Sequence, residues 1–233
     1  MAISRNPNAG HHHSKEDALR DRQYQLLFEG ARKLPDERAK EARFLILVAG
    51  RLGLRAGEIA HMRGSWIDWR RQMIVVPPYE PCTKGESGGI CGYCRAQASQ
   101  MVSADPDLST KDAEARMWSP KTEASAREVP FGHDPRALLA IERFFDAHDA
   151  WPFSRAVVNR RVTAAAEQAD EIDPTTCYPH ALRATAATTM AARGLDMLPL
   201  QSMMGWAKLS TAKHYIASSG ENTARALYRV HSR

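Results

Sequence analysis

The sequence predicts an α+β fold that is mainly α-helical and contains one small antiparallel sheet. Apolar residues recur at helical spacing over most of the chain, whereas short segments rich in β-branched and aromatic residues are confined to its middle. The length of 233 residues suits one ordinary domain. Hydrophobic residues at 43% and charged residues at 25% are average for a globular protein, which excludes wholesale disorder.

Eight helices follow from the apolar periodicity and from the Gly and Pro residues that interrupt it. A restart at Pro35 separates the first two helices, and Gly53 ends the second, which carries an apolar run at residues 44–50. The predicted helices are residues 17–33, 37–51, 56 to about 63, 136–148, 155–171, 180–193, 197–204 and 222–230.

The β segments are predicted to form two hairpins. The first pairs residues 66–69 with 73–76, and the second pairs residues 116–119 with 127–131. The glycine-rich segment between the hairpins is predicted to be loop-rich, and we treat about 78–115 as an insertion. Residues 1–16 are polar and are predicted to form a flexible arm ahead of one domain at 17–233.

The charge balance indicates a polyanionic partner. The chain has 32 Lys and Arg against 27 Asp and Glu, a net charge of +5, and arginine outnumbers lysine by 24 to 8. Arginine presents a planar fork that matches two phosphate oxygens. No apolar segment is long enough to cross a bilayer and the N-terminus has no signal-peptide core, so a soluble cytoplasmic protein is expected, with no membrane partner.

Several catalytic classes are excluded by missing motifs. The sequence has no GxxxxGK[ST], no GxGxxG after a strand, no HExxH and no GxSxG. It also lacks closely spaced acidic residues at predicted strand ends, which two catalytic magnesium ions require. A nucleotide partner and two-metal chemistry are therefore not expected.

Six side chains suited to a phosphate ester occur at four places. Each alone has an ordinary structural interpretation, as a surface cation or a packed aromatic residue. Their order and local spacing carry the information: two lie three residues apart on one helix face, and the last two lie nine apart. They are Arg55, Lys121, His180, Arg183, Trp206 and Tyr215.

These residues give the chain a resemblance to the tyrosine recombinase (phage integrase) family. The matching stretches are GLRAGEIAHMRGSWIDW, SPKTEASAREVPF and HALRATAATTMAARGLDMLPLQSMMGWAKLSTAKHYI. The family's catalytic domain has an arginine at such a helix junction and a lysine in a β-hairpin turn. HxxR follows, then a His or Trp after Gly, and a tyrosine nine residues later.

The resemblance implies a role for each of the matching residues. Arg55 and Arg183 would clamp the non-bridging oxygens of a scissile phosphate, and His180 would assist proton transfer at the tyrosine. Lys121 would protonate the departing 5′ oxygen, and Tyr215 would form a 3′-phosphotyrosyl link. Two further positions match: Trp206 would donate its indole N–H to a phosphate oxygen, and Glu58 would orient the cluster.

The implied function is site-specific cleavage and rejoining of double-stranded DNA at attachment sites, by an integrase of a mobile element or virus. No cofactor is implied for catalysis, and a homotetramer on DNA, monomeric alone, is the implied assembly. The chain differs from the family in one respect: only 16 residues precede the first predicted helix, so no N-terminal core-binding domain is expected. The alternatives are type IB topoisomerase-like relaxation and a catalytically silent, zinc-stabilised DNA-binding module.

The insertion contains a candidate structural zinc site. Cys82, Cys91 and Cys94 have the spacing of a zinc knuckle within PCTKGESGGICGYC, a segment that resembles one in integrases of haloarchaeal viruses and plasmids. Reduced thiols or one disulfide are the alternatives to a metal. The fourth ligand is left open by the sequence: His61 is the first candidate, and His133 and Cys177 are the others.

Overall fold

The computed structural model describes residues 16–216 together with residues 223, 227, 228 and 231. Over this part of the chain the predicted mainly helical α+β class is confirmed. The predicted arm falls outside the described residues except for Glu16, and the predicted helix at 222–230 falls mostly outside them. The helices are α1 (Asp21–Arg32), α2 (Asp36–Gly50), α3 (Ala56–His61), α4 (Gly92–Ala104), α5 (Thr110–Ala115), α6 (Pro135–Ala147), α7 (Arg155–Glu167), α8 (Pro179–Ala192), α9 (Met197–Met204) and α10 (Leu209–Lys213).

Helix α2 is the centre of the helical core. Its residues 44–50 are all buried, and the helix contacts α1, α6, α7 and α8. A helix that is apolar on every side has to be enclosed by other elements, because any exposed face would leave apolar surface in water. Phe44 stacks against Phe144 of α6 and against Trp151, which closes this part of the core. Within the described residues, every helix is too short or too polar to cross a membrane.

The sheet has three antiparallel strands, β1 (Ile67–Asp68), β2 (Met73–Val76) and β3 (Arg127–Pro130), in the order β1-β2-β3. Ile74 in the central strand lies opposite Ile67 on one side and Val129 on the other, and all three are buried. Apolar side chains that meet across strands stabilise such a small sheet.

The predicted second hairpin is wrong. Strand β3 pairs with β2 and not with residues 116–119. Trp118 instead exchanges two backbone hydrogen bonds with Glu80, at 2.7 and 2.9 Å. The prediction paired segments that are close in sequence, whereas the observed pairing places Val129 beside Ile74, and both residues are buried.

The insertion is more ordered than predicted. It contains α4 and α5, whereas the sequence predicted a loop-rich segment over residues 79–115. The glycines that indicated a loop precede α4 or occupy its first position, and Cys94 and Ala98 bury one face of this helix at a spacing of four residues. The short helix α10 was also not predicted.

Gly205 ends α9 in the left-handed conformation, with φ of +58°. A Cβ atom there would lie 2.8 Å from the Ala124 carbonyl oxygen and 2.8 Å from Cδ of Arg127. The turn after α9 therefore lies directly against the loop that precedes β3, and only glycine fits both the backbone conformation and the space.

We expect Gly205→Ala to lower the free energy of unfolding by more than about 1 kcal/mol, because a left-handed non-glycine residue alone costs about that much. Gly92→Ala is the matched control: a Cβ at Gly92 has no heavy atom within 4 Å, and the change should stay within about 0.5 kcal/mol. Urea unfolding measures both. Equal stability of the two variants would contradict this description of the turn.

Candidate active site and metal centre

Four of the six phosphate-suited side chains line one cleft of about 840 Å³: Arg55, Lys121, His180 and Arg183. The cleft lies between α3, α4, the start of α8 and the loop before β3. Its lining contains four Arg or Lys side chains and a single carboxylate, that of Glu58. Such a surface has the charge that a phosphate backbone requires.

Helix α3 positions Arg55 through a reciprocal contact at its first turn. Arg55 is the N-cap, and its backbone N–H donates to Oε2 of Glu58 at 2.8 Å. Its guanidinium donates to Oε1 of the same carboxylate at 2.7 Å and to the Gly205 carbonyl at 3.0 Å. Both ends of the Arg55 side chain are therefore fixed before any ligand binds.

Arg127 was not identified from the sequence, although it lies beside this carboxylate. It is 4% exposed, and it donates to both oxygens of Glu58 at 2.9 and 3.1 Å. It also donates to the carbonyls of Met203 at 2.7 Å and Ser125 at 2.8 Å. Arg127 thereby joins α3, α9 and the loop before β3. Its only signal in the sequence is an arginine at the start of a strand, which is too common to be informative.

Glu58 remains ionised in spite of its burial. Burial alone raises the pKa of a carboxyl group, but the guanidinium groups of Arg127, Arg183 and Arg55 outweigh it and lower the pKa of Glu58 from 4.5 to about 2. The carboxylate thus gives the surrounding arginines a fixed negative partner at neutral pH.

Helix α8 holds His180 and Arg183 at its first turn, which Pro179 begins. Arg183 is 3% exposed and donates to the carbonyls of Gly53 and Met204. Although His180 is exposed by surface area, the protein around its ring displaces part of its hydration; this desolvation lowers its pKa below 6.5, and the cations around the cleft, Arg183 first, lower it further. His180 is therefore neutral at pH 7 and able to accept a proton.

The last two phosphate-suited residues lie next to each other. The rings of Trp206 and Tyr215 stack with centroids 5.1 Å apart and planes 17° apart. Burial raises the pKa of the Tyr215 phenol above 10, and the guanidinium of Arg183 opposes this shift. The structure therefore places Tyr215 within the electrostatic influence of the cleft, as a phenol that is protonated at neutral pH.

The three cysteines of the insertion meet His61 in a buried cluster whose four ligand atoms all lie within 4.8 Å of one another. Nε2 of His61 is 3.5 Å from Sγ of Cys82, 3.7 Å from Sγ of Cys91 and 3.2 Å from Sγ of Cys94. A tetrahedral zinc ion with ordinary Zn–S and Zn–N bonds separates nitrogen from sulfur by roughly 3.5 Å. The cluster could therefore hold a metal ion.

The orientation of His61 suits a ligand. Its Nδ1 lies 2.8 Å from the Gly57 carbonyl oxygen. Because a carbonyl only accepts, Nδ1 carries the proton and Nε2 presents its lone pair to the three sulfurs. Burial lowers the pKa of His61 to about 4, so the ring is neutral at pH 7. The Lys84 ammonium, which donates to the Phe153 carbonyl at 2.8 Å, lies close enough to the cysteines to interact with their charge.

The other two candidates for the fourth ligand are wrong. His133 is exposed and Cys177 is buried elsewhere, and neither belongs to the cluster found among the described residues. Burial raises the pKa of the Cys177 thiol to about 12, so it remains an uncharged core side chain.

We expect Glu58→Gln to lower the free energy of unfolding by about 3–5 kcal/mol at pH 7, because the variant leaves buried arginines without their negative partner. Ionised Glu58 stabilises the fold fully above pH 4.5, and this contribution is lost as the pH falls toward 2. The difference from wild type should therefore narrow over that range in urea unfolding. Glu29→Gln, at an exposed position, is the control. A variant as stable as wild type at pH 7 would contradict the anchoring of the arginines by Glu58.

Comparison with known proteins agrees with this fold. The model of the phage integrase family matches residues 17–222. The tyrosine recombinase XerC of Mesorhizobium japonicum is 36% identical over 101 residues, which make up 43% of this chain and 29% of XerC.

Solved structures show the same fold. The Tn1549 transposon integrase, solved with transposon right-end DNA, has a TM-score of 0.58 at 18% identity, over 93% of this chain and 66% of that one. XerH recombinase, solved with its difH substrate, has a TM-score of 0.57 at 13% identity; the match covers 92% of this chain and 54% of XerH. The chain thus spans less than two thirds of these relatives. Because the family model covers most of its length, the chain belongs to the phage integrase family.

Proposed function

We propose that this chain is a DNA strand transferase that cleaves and rejoins duplex DNA at specific sites through a 3′-phosphotyrosyl intermediate. The observation that carries the proposal is the convergence of Arg55, Lys121, His180 and Arg183 on one cleft, with Tyr215 within the influence of Arg183. These side chains come from four separate parts of the sequence. Fixed cations around one point stabilise the charge that develops on a phosphate during transfer.

In the proposed step one bond forms as another breaks, and each proton that moves has a donor and an acceptor. The Tyr215 oxygen forms a bond to phosphorus while the bond from phosphorus to the 5′ oxygen breaks. The phenol proton passes to neutral His180, and the Lys121 ammonium gives a proton to the departing 5′ oxygen. The new phosphodiester keeps the energy of the old one, so the reverse step rejoins DNA without ATP or a catalytic cofactor.

Two arginines bind the phosphate in this proposal. Arg55 is held by Glu58, and Arg183 is held by two backbone carbonyls, so both guanidinium groups are fixed in advance. Trp206 stacks on the nucleophile and lacks a group that exchanges protons at neutral pH. We assign it the donation of its indole N–H to a phosphate oxygen.

The proposed partner is double-stranded DNA. The positive lining of the cleft supports this, and two structures with the same fold, the Tn1549 integrase and XerH, were solved with DNA. From the family we extend the proposal to an integrase of a mobile element, which acts as a homotetramer on DNA that assembles from monomers.

We also propose that His61, Cys82, Cys91 and Cys94 bind one structural zinc ion. Three buried sulfurs so close together repel one another as thiolates unless a cation lies between them. Four protein ligands leave no open position for a substrate or water, so the ion supplies no reaction chemistry.

We expect Tyr215→Phe to abolish covalent attachment to a nicked attachment-site substrate, because the phenol oxygen is the nucleophile. Binding of the same DNA should remain within about threefold of wild type, since no phosphate-binding cation changes. Tyr79→Phe, which removes a hydroxyl from an exposed tyrosine, should form the adduct normally. Denaturing gel electrophoresis measures the adduct.

An adduct formed by Tyr215→Phe at the wild-type rate would show that another residue attacks the phosphate. A plasmid relaxation assay run beside a recombination assay separates the topoisomerase-like alternative. Relaxation without recombination would overturn the recombinase proposal.

For the metal, we expect about one zinc ion per chain in protein purified without chelator, measured by mass spectrometry of the metal. Cys94→Ser should lose the metal, because it removes a ligand. Cys177→Ser, at a buried cysteine outside the cluster, should retain it. A metal content near zero in the wild-type protein would contradict the zinc proposal.

A further inference from the structure

We propose that the metal cluster holds the loop that carries Lys121 in place, so that metal occupancy controls protonation of the leaving group. This inference rests on the proposed function, and specifically on Lys121 as the general acid. It assigns the insertion a part in the reaction although none of its cysteines lies in the phosphate site.

The first link is the stacking of Trp118 on a metal ligand. The His61 ring and Trp118 have centroids 5.2 Å apart and planes 13° apart. Trp118 is 1% exposed and also stacks on Trp66 with centroids 5.4 Å apart. The orientation of His61 therefore constrains that of Trp118, because the buried Trp118 ring stacks on both His61 and Trp66.

The second link is made by the backbone of another ligand. Cys82 donates its N–H to the Met117 carbonyl at 3.2 Å, and Glu80 exchanges two hydrogen bonds with Trp118. The segment with Cys82 thus pairs with the segment that leads to Lys121. The stacking of His61 and the hydrogen bond of Cys82 are therefore both made to residues 117–118.

Lys121 follows Trp118 after only Ser119 and Pro120. Proline fixes its own φ, so this tether has little freedom to absorb a displacement of Trp118. All four residues from Trp118 to Lys121 line the cleft. A shift of the metal cluster is therefore transmitted to the Lys121 ammonium over a distance of three residues.

Arg55, Arg183 and Tyr215 are anchored by other contacts. Glu58 holds Arg55 and is itself held by Arg127, while Arg183 binds backbone carbonyls and Tyr215 stacks on Trp206. None of these contacts includes a cluster ligand. Loss of the metal should accordingly weaken the acid step more than phosphate binding or nucleophilic attack.

The test compares two DNA substrates that differ in one atom. In the first, oxygen links phosphorus to the 5′ carbon at the cleavage site; in the second, sulfur replaces this oxygen. A 5′-thiolate leaves without being protonated, because thiols are much stronger acids than alcohols. A defect confined to the general acid therefore disappears with the sulfur substrate, and a general loss of structure affects both substrates.

We expect metal-free wild-type protein to form the adduct about 10- to 100-fold more slowly with the oxygen substrate, the range typical of lost supporting contacts around a metal. With the sulfur substrate its rate should be within about threefold of that of the zinc-loaded protein. Lys121→Ala is the reference and should show the same rescue. Amide hydrogen exchange should rise at residues 116–122 and remain unchanged in α8.

Trp118→Leu tests the link in protein that keeps its zinc, which covers the case in which metal removal unfolds the chain. We expect it to bind one zinc ion. Like the metal-free protein, it should form the adduct slowly with the oxygen substrate and at about the wild-type rate with the sulfur substrate. Phe144→Leu is the matched control: it truncates a buried aromatic residue in the α2–α6 core, and its two rates should stay near wild type.

The outcomes separate the two proposals. No adduct from wild type with either substrate, or no sulfur rescue of Lys121→Ala, would contradict the proposed function or its general acid. The link from the metal cluster to Lys121 would be overturned if the sulfur substrate rescues Lys121→Ala while zinc-loaded Trp118→Leu cleaves the oxygen substrate at the wild-type rate. Equally slow adduct formation by Trp118→Leu with both substrates would also overturn it.

Discussion

The arrangement of the proposed phosphate site depends on one buried carboxylate. Glu58 is 2% exposed, and a charge at that depth is stable only when cations and hydrogen bonds replace its lost hydration. Arg55 and Arg127 supply these contacts directly, and the charge of Arg183 adds to them. In return, the carboxylate fixes the guanidinium of Arg55 and, through Arg127, joins three separate parts of the chain. Arg55 and Glu58 in the positive cleft are therefore held in place before any ligand binds.

The sequence predicted the parts of this site that local patterns determine. The helices around the core followed from apolar periodicity, and the six phosphate-suited residues were identified because their order and spacing resemble the motifs of the phage integrase family. Arg127 could not be predicted in this way, because its partner Glu58 lies 69 residues away and an arginine that begins a strand is common. The prediction of the second hairpin was wrong for a related reason: strand β3 pairs with β2, which lies far from it in the sequence.

The proposed metal site shows the same division between local and long-range information. The spacing of Cys91 and Cys94 predicts a metal ligand pair without any knowledge of the fold. The choice among His61, His133 and Cys177 requires the packing of α3 against the insertion, which only the structure provides. The helices of the insertion were missed because its glycines suggested a loop, whereas helix α4 buries one face of small residues and cysteine.

Glu58 stays ionised inside the fold because arginines surround it. The most direct test is the carboxyl carbon signal of Glu58 in isotope-labelled protein, followed by NMR as the pH is lowered. A pKa of about 2 predicts that the signal remains at its ionised position at pH 3, a pH at which a glutamate with the ordinary pKa of about 4.3 is already mostly protonated. A titration midpoint of the Glu58 signal at or above pH 4.5 in the folded protein would show that the arginines do not keep this carboxylate ionised.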